Sequence, residues 1–166
     1  MGPEHRVAAV AAWLGVAPHL GVTPGQLVVG TLFAGAAGHG RLSPDADQEG
    51  WLAKLIPGGH RGITHWWPVT LVMFLAGTRL GTYGWQVEAV AVAWASHLGG
   101  DVVFGEIPVL PRRGGRWVRF GVGLDTGGWS ERWVARPLLL LTVLALALVD
   151  AGVIPSAWWL HPHPSI

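Results

Sequence analysis

Three polar islands break an otherwise oily chain: Asp45-Ala46-Asp47, the run His60-Arg61-Gly62-Ile63-Thr64-His65, and the pair His97 and Asp101. Carboxylates and imidazoles are the donors that hold borderline and hard divalent metals. In apolar surroundings each such group is costly unless something pairs with it. One shared ion would offset that cost for six residues together. The sequence has no cysteine, so disulfides and thiolate sites are excluded and any metal must be held by His, Asp or Glu. Singly, each island has a plainer explanation. An acidic first turn complements a helix dipole, a loop histidine is solvated, and a His-x-x-x-Asp pair shares a hydrogen bond. Together, in a chain this poor in polar groups, they favour a metal site.

Spacing adds detail. His97 and Asp101 are four apart, so on a helix they stack on one face and can share an ion. Ser43 is placed to cap a helix with Pro44 at its first position, which would put both carboxylates in the first turn. His60 and His65 are five apart and would diverge on an ideal helix. Gly58 and Gly59 instead put His60 on a loop and His65 at the start of the next helix.

The elements that must position these residues are five apolar stretches, at about 7–22, 26–39, 66–84, 86–107 and 137–155. Gly21 to Gly25 and Gly81 to Gly84 are hinges short enough to make two antiparallel helical hairpins. A bilayer crossing needs about 20 helical residues, and the first two stretches fall short of it. Half of the 166 residues are hydrophobic, 13% are charged, and the mean hydropathy is +0.41, figures of a membrane protein. Several of the eleven tryptophans, among them Trp66, Trp67, Trp85, Trp158 and Trp159, stand where oily runs meet polar loops, as in an interfacial belt. The apolar residues 7–17 lack a small-x-small cleavage site and are expected to remain as the first helix. The expected fold is therefore all-α: a polytopic membrane helical bundle in one domain, residues 1–157, with a short tail at 158–166. A net charge of +1 gives no footprint for nucleic acid.

Charge orients the bundle. With the N-terminus in the cytoplasm, the segments 40–65 and 108–136 are cytoplasmic as well. Ten of the eleven Lys and Arg then lie inside and only Arg79 lies towards the outside, the asymmetry of the positive-inside rule. The same topology brings His5, Asp45, Asp47, His60, His65, His97 and Asp101 to the cytoplasmic ends of the helices.

The pattern resembles the YdjM-like family of predicted membrane-bound metal-dependent hydrolases. Its Pro-Asp-x-Asp, His-Arg-Gly-x-Thr-His and Ser-His-x-x-x-Asp elements look like Pro44 to Asp47, His60 to His65 and Ser96 to Asp101. A later Thr-Gly-x-x-x-Glu stretch is similar to Thr126 to Glu131. Gln48 and Trp66 stand where members often carry His and Ser, and His5 follows Glu4 where members commonly have Thr. The family is distantly similar to zinc-dependent phospholipase C, which implies hydrolysis of a phosphoester such as a lipid head group by a metal-activated water at the inner (cytoplasmic) membrane. In that scheme the metal ligands are Asp45, Asp47, His60, His65, His97, Asp101 and His5. Asp47 or Asp101 could be the base, and Arg61 could clamp a phosphate oxygen. Zinc suits such ligands, and so do manganese and iron. The alternative is a non-catalytic metal-binding membrane protein, a transporter or a scaffold.

Overall fold

The computed structural model describes residues 2–48, 61–111, 117–122 and 136–153. Among these residues are five α-helices and one β-hairpin: α1 (Gly2–Val16), α2 (Pro24–Ala37), α3 (Trp67–Gly77), α4 (Gly84–Phe104), β1 (Ile107–Pro111), β2 (Trp117–Phe120) and α5 (Arg136–Asp150). The protein is thus mostly helical, as the apolar stretches imply. His60, the Thr126 to Glu131 stretch and the tail from 158 lie outside the described residues.

Local chemistry sets the helix starts. Thr23 and Gln26 form a capping box, with Pro24 in the first turn of α2. Gly21, at φ 69°, makes the left-handed turn between α1 and α2. Pro68 occupies the first turn of α3 for the same reason as Pro24.

The helices approach closely because their shared faces are small. Ala9, Ala17, Ala34, Ala37, Ala89 and Ala93 are fully buried around Trp13, the largest fully buried side chain among the described residues. The indole of Trp13 lies against Gly30, leaving no room there for a β-carbon, and donates to the Leu27 carbonyl at 3.2 Å. α4 touches α1, α2 and α3, and α5 packs on α1. Gly77 and Gly84 meet backbone to backbone at the turn joining α3 to α4. That turn and the α1–α2 hinge form one end of the bundle. The polar islands gather at the other.

The hairpin was not expected from the sequence. Ile107 pairs with Phe120 and Pro111 with Trp117, with a bulge between Pro108 and Leu110. Two short runs rich in β-branched, aromatic and proline residues on either side of Arg112 to Arg116 are the signal for it. The prolines are tolerated because both strands of a two-stranded sheet are edges. The Val122 amide ties the end of the hairpin to the Val102 carbonyl of α4 at 2.6 Å.

Large apolar side chains cover the outside. Val28, Leu32, Val72, Leu75, Leu138, Leu141 and Leu144 are each more than half exposed. The 24-residue helical stretch Gly81–Phe104 is long and apolar enough to cross a membrane, while α2, α3 and 137–149 are shorter apolar helices.

Gly38, which ends α2, is where three helices converge. A β-carbon there would fall 2.7 Å from the His5 carbonyl oxygen and 2.9 Å from Arg6 Cα. Gly38→Ala should therefore cost about 1–3 kcal/mol by overpacking backbone against backbone, seen as a lower unfolding midpoint in detergent. Gly99→Ala, on α4 with nothing within 4 Å of the added carbon, should hold the midpoint or raise it.

Candidate metal centre

Each donor is held by its own element. The loop after α2 folds through Gly40, at φ 85°. Ser43 Oγ donates to the Gly40 carbonyl at 2.7 Å and accepts from the Asp45 amide at 3.2 Å, launching the short 3-10 turn Pro44–Gln48. Serine and proline thus act here as their order predicts. From α4, the Trp94 indole donates to the Leu42 carbonyl at 2.7 Å and pins this loop against the bundle.

His65 ends a second 3-10 turn, Ile63–His65, directly before α3. The next residue anchors it: the Trp66 indole donates to the Val109 carbonyl at the hairpin bulge, 3.0 Å away, and its ring lies 5.8 Å from that of Trp117. Trp66 thus joins the turn that carries His65 to the hairpin. His97 and Asp101 share one face of α4, as their spacing requires, and both are buried. His5 reaches the cluster from α1. Its ring stacks on that of His97 at 4.0 Å and 20°, above Gly100, where an added β-carbon would come within 3.0 Å of it.

The four central donors converge. His65 Nε2 lies 3.4 Å from Asp45 Oδ1 and 3.4 Å from Asp101 Oδ2; His97 Nε2 lies 3.5 Å from Asp45 Oδ2 and 3.5 Å from Asp101 Oδ2. These separations are long for hydrogen bonds. They match the spacing of about 3.3–3.4 Å between neighbouring ligands of a tetrahedral ion with bonds of about 2.0–2.1 Å. Asp45, His65 and His97 offer ligand atoms all within 4.8 Å of one another, and so do His5, His97 and Asp101. The two sets share His97.

The far side of each imidazole supports the same conclusion. His97 Nδ1 lies 3.3 Å from the Gly38 carbonyl, which can only accept, so the proton belongs on Nδ1. His65 Nδ1 lies 3.1 Å from Thr64 Oγ1, which can accept from it in the same way. Both rings then turn the Nε2 lone pair inward, as metal-bound histidines do. His97 Nε2 and Asp101 Oδ2 are buried with no hydrogen-bond partner, and a cation is the occupant that satisfies both. The donor set therefore fits a divalent ion.

Electrostatics agree. Burial, with the His97 ring beside it, pushes His5 down to about 4, so His5 is neutral at pH 7 and free to donate a lone pair. Burial acts to raise the Asp45 carboxyl, but the imidazoles of His65 and His97 outweigh it and hold Asp45 well below the usual carboxylate range. Asp45 is ionised and ready to bind.

Arg61 belongs to the same cluster. Its guanidinium Nη2 donates to Asp101 Oδ1 at 3.0 Å, and Nη1 donates to the Glu106 carbonyl at 3.4 Å. The side chain lies over Gly105, and the backbone holds φ 57°, a left-handed value that costs a non-glycine residue about 1–2 kcal/mol. Arg61 thus grips the outer oxygen of Asp101 while the inner oxygen faces the histidines. It acts on a ligand before it acts on any phosphate. Asp101 thus has its outer oxygen held by Arg61 and its inner oxygen turned towards His65 and His97.

Of the residues expected at the site, His5, Asp45, His65, His97, Asp101 and Arg61 come together. Asp47 lies on the Pro44–Gln48 turn, its side chain outside the described residues, as is His60. Sequence reasoning missed Gln48, which donates to Asp45 Oδ1 at 2.7 Å, as well as Thr64 and the Gly38 carbonyl. A glutamine three residues after an aspartate in a short turn was a readable signal. A backbone carbonyl carries none. No family model matches the chain, and neither a curated protein nor a solved structure does.

Two outcomes follow for metal binding. Arg61→Ala, by releasing Asp101, should weaken zinc affinity about 10- to 100-fold, measured by competition with a chelator, where a pure phosphate clamp would leave it unchanged. Affinity should also fall as the pH is lowered from about 7.5 to below about 4, because each liganding imidazole must be deprotonated and His5 is the last to take up its proton. A flat affinity across that whole range would rule out histidine ligation.

Proposed function

We propose that the chain is a membrane-bound, metal-dependent hydrolase of phosphoesters, related to the YdjM-like family by its three motif elements. The observation that carries this is the inward-facing set of His65 Nε2, His97 Nε2, Asp45 and Asp101 Oδ2, fixed from behind by Thr64, the Gly38 carbonyl and Arg61. A divalent ion held there, most simply zinc, would supply a Lewis acid for a phosphoryl oxygen and lower the pKa of a water in an open position.

The chain's own residues do the rest. His65, His97 and Asp101 are fully shielded, whereas Asp45 keeps 22% of its side chain exposed, so substrate approaches from the Asp45 side. Arg61, also 22% exposed, holds Asp101 and adds positive charge beside an incoming phosphate. With Asp101 committed, the proton acceptor is assigned to Asp47, two residues beyond Asp45.

Apolar outer faces on α2, α3 and α5, the span Gly81–Phe104 and the ten-to-one division of Lys and Arg support a multi-pass protein of the cytoplasmic membrane with this site facing the cytoplasm. Transporters hold their ions near the bilayer midplane. Here the donors gather at one end of the bundle, which argues against transport. A second reading has one observation in its favour. Asp45, His65, His97 and Asp101 are four donors, enough to saturate zinc if all bind one ion, the mark of a structural site.

The deciding experiment combines metal analysis of purified protein with a panel of phosphomonoesters, phosphodiesters and phospholipids. For a hydrolase, His97→Ala and Asp101→Ala should both lose metal and at least 100-fold in turnover, while Asp47→Asn keeps the metal and loses turnover. Metal-loaded protein inert towards the whole panel would leave the structural role. The protein should also stay with membranes in alkaline carbonate, and release into the soluble fraction would defeat the membrane assignment.

A further inference from the structure

Outside the metal centre, Glu88 of α4 is the one buried titratable side chain among the described residues, at 8% exposure. No hydrogen bond or ion pair from any described residue reaches its carboxylate. Neither of its oxygens is among the buried polar atoms sealed off without a partner, so the carboxylate is unpaired yet open to a ligand. A carboxylate in such surroundings is destabilising unless something pairs with it. Side chains lean towards a helix N-terminus, which aims Glu88 at the turn joining α3 to α4. Its stem lies over Gly77, where an added β-carbon would fall 2.6 Å from Glu88 Cγ.

Glu88 lines a cleft of about 220 Å³ at the end of the bundle away from the metal centre, between the α1–α2 hinge at Gly21 and the α3–α4 turn at Gly81. It is the only charged side chain in that lining. Its neighbours there suit a donor. Thr78 Oγ1 gives its proton to the Leu75 carbonyl at 2.8 Å and keeps only lone pairs for a ligand. Trp85, three residues before Glu88 and so on the same face of α4, has its ring edge-on to Phe33 at 6.2 Å and 79°. The face of an indole attracts cations. Gln26 is the exception: Thr23 holds its Oε1 through amide and hydroxyl at 2.8 and 3.1 Å, which leaves the Nε2 donors.

A carboxylate, an acceptor hydroxyl and an indole face together call for a cation with hydrogens to donate. Calcium takes about six to eight oxygen ligands, more than these side chains supply. The cleft also has room for about seven waters at ~30 Å³ each, so a bare ion would leave most of it unfilled. A protonated amine on a short carbon chain meets both conditions, and an oxygen further along that chain can accept from Gln26. We propose that this cleft binds a primary alkylammonium group, with the Glu88 carboxylate as its counter-ion, the Thr78 hydroxyl as a second acceptor and the Trp85 ring beside it. On the topology proposed for the bundle this end faces away from the cytoplasm. The amine then belongs either to a soluble molecule or to an aminoethyl phospholipid of the outer leaflet.

The unfolding midpoint of metal-loaded protein, in neutral detergent and an amine-free buffer, reads binding. Millimolar 2-aminoethanol should raise it, and ethylene glycol should not. Glu88→Gln should leave metal content unchanged and hold or raise the midpoint without amine, because it removes an unpaired buried charge. The same variant should weaken aminoethanol at least about ten-fold, and Trp85→Leu about two- to five-fold. Native mass spectrometry of protein taken from an equal mixture of phosphatidylethanolamine and phosphatidylglycerol separates the two sources. Retention of phosphatidylethanolamine that Glu88→Gln abolishes assigns the cleft to a lipid head group. A response to aminoethanol without that retention assigns it to a soluble amine. Silence in both arms, a shift matched by sodium or ethylene glycol, or a shift that survives Glu88→Gln in full would overturn the proposal.

Discussion

Gly38 is the constraint on which the rest of the structure turns. Three things happen at this one residue. Its missing side chain lets the backbone of α1 at His5 and Arg6 rest against the end of α2, its amide closes α2 on the Ala34 carbonyl, and its own carbonyl faces His97 Nδ1 of α4. Packing and site chemistry are therefore one problem here. If α1 stood further off, His5 would not stack on His97. If α2 ended elsewhere, His97 would lose the acceptor that fixes its proton, and the inward nitrogen would lose its lone pair. The φ of Gly38 is ordinary for a helix, −71°, so space alone demands glycine at this point.

Burial of the donors costs what burial of any polar group costs. Asp101 and the two central histidines are almost wholly shielded from water, and each would be destabilising there on its own. The carboxylate is matched on its outer oxygen by Arg61, and the imidazoles on their outer nitrogens by neutral oxygen acceptors. His97 Nε2 and Asp101 Oδ2 face each other at 3.5 Å, too long for a good hydrogen bond. A bundle folding without a cation would keep that cost, and one folding with it would not. Metal binding and stability are in this way linked, as at other sites where ligands are buried before they are neutralised.

Much of this was legible in the chain itself. Apolar runs and glycine hinges placed α2 and α4 to within three residues, whereas α1 begins five residues before the expected stretch and α3 ends seven residues short of it. The i, i+4 spacing put His97 and Asp101 on one face, and Ser43-Pro44 set the turn that carries Asp45. Three features were not legible. The grip of Arg61 on Asp101 was hidden because guanidinium geometry suits phosphate and carboxylate alike, and the closeness of the two in space leaves no mark in the sequence. The hairpin was hidden because Pro108 and Pro111 argue against a strand unless both strands are edges. Gly38 gave no sign of its role, because a backbone carbonyl and an absent side chain look the same in every glycine of a sequence that has twenty-five.

The hairpin has a further consequence for the site. Only the single residue Trp66 separates His65 from the start of α3, and this residue's indole reaches the bulge that breaks the pairing of β1 with β2. A regular strand would engage its carbonyls in the ladder. The bulge leaves the Val109 carbonyl for Trp66. Glu106, just before β1, supplies its carbonyl to Arg61 in the same manner. The short hairpin thus braces two sides of the centre: the turn that aims His65, and the arginine that aims Asp101. The α1 and α2 side is braced by helix packing at Gly38. The Asp45 side is held more lightly, by the hydroxyl of Ser43, the amide of Gln48 and the Trp94 indole. Three firmly braced donors and one on a light loop would let an ion bound here exchange the Asp45 ligand more readily than the other three.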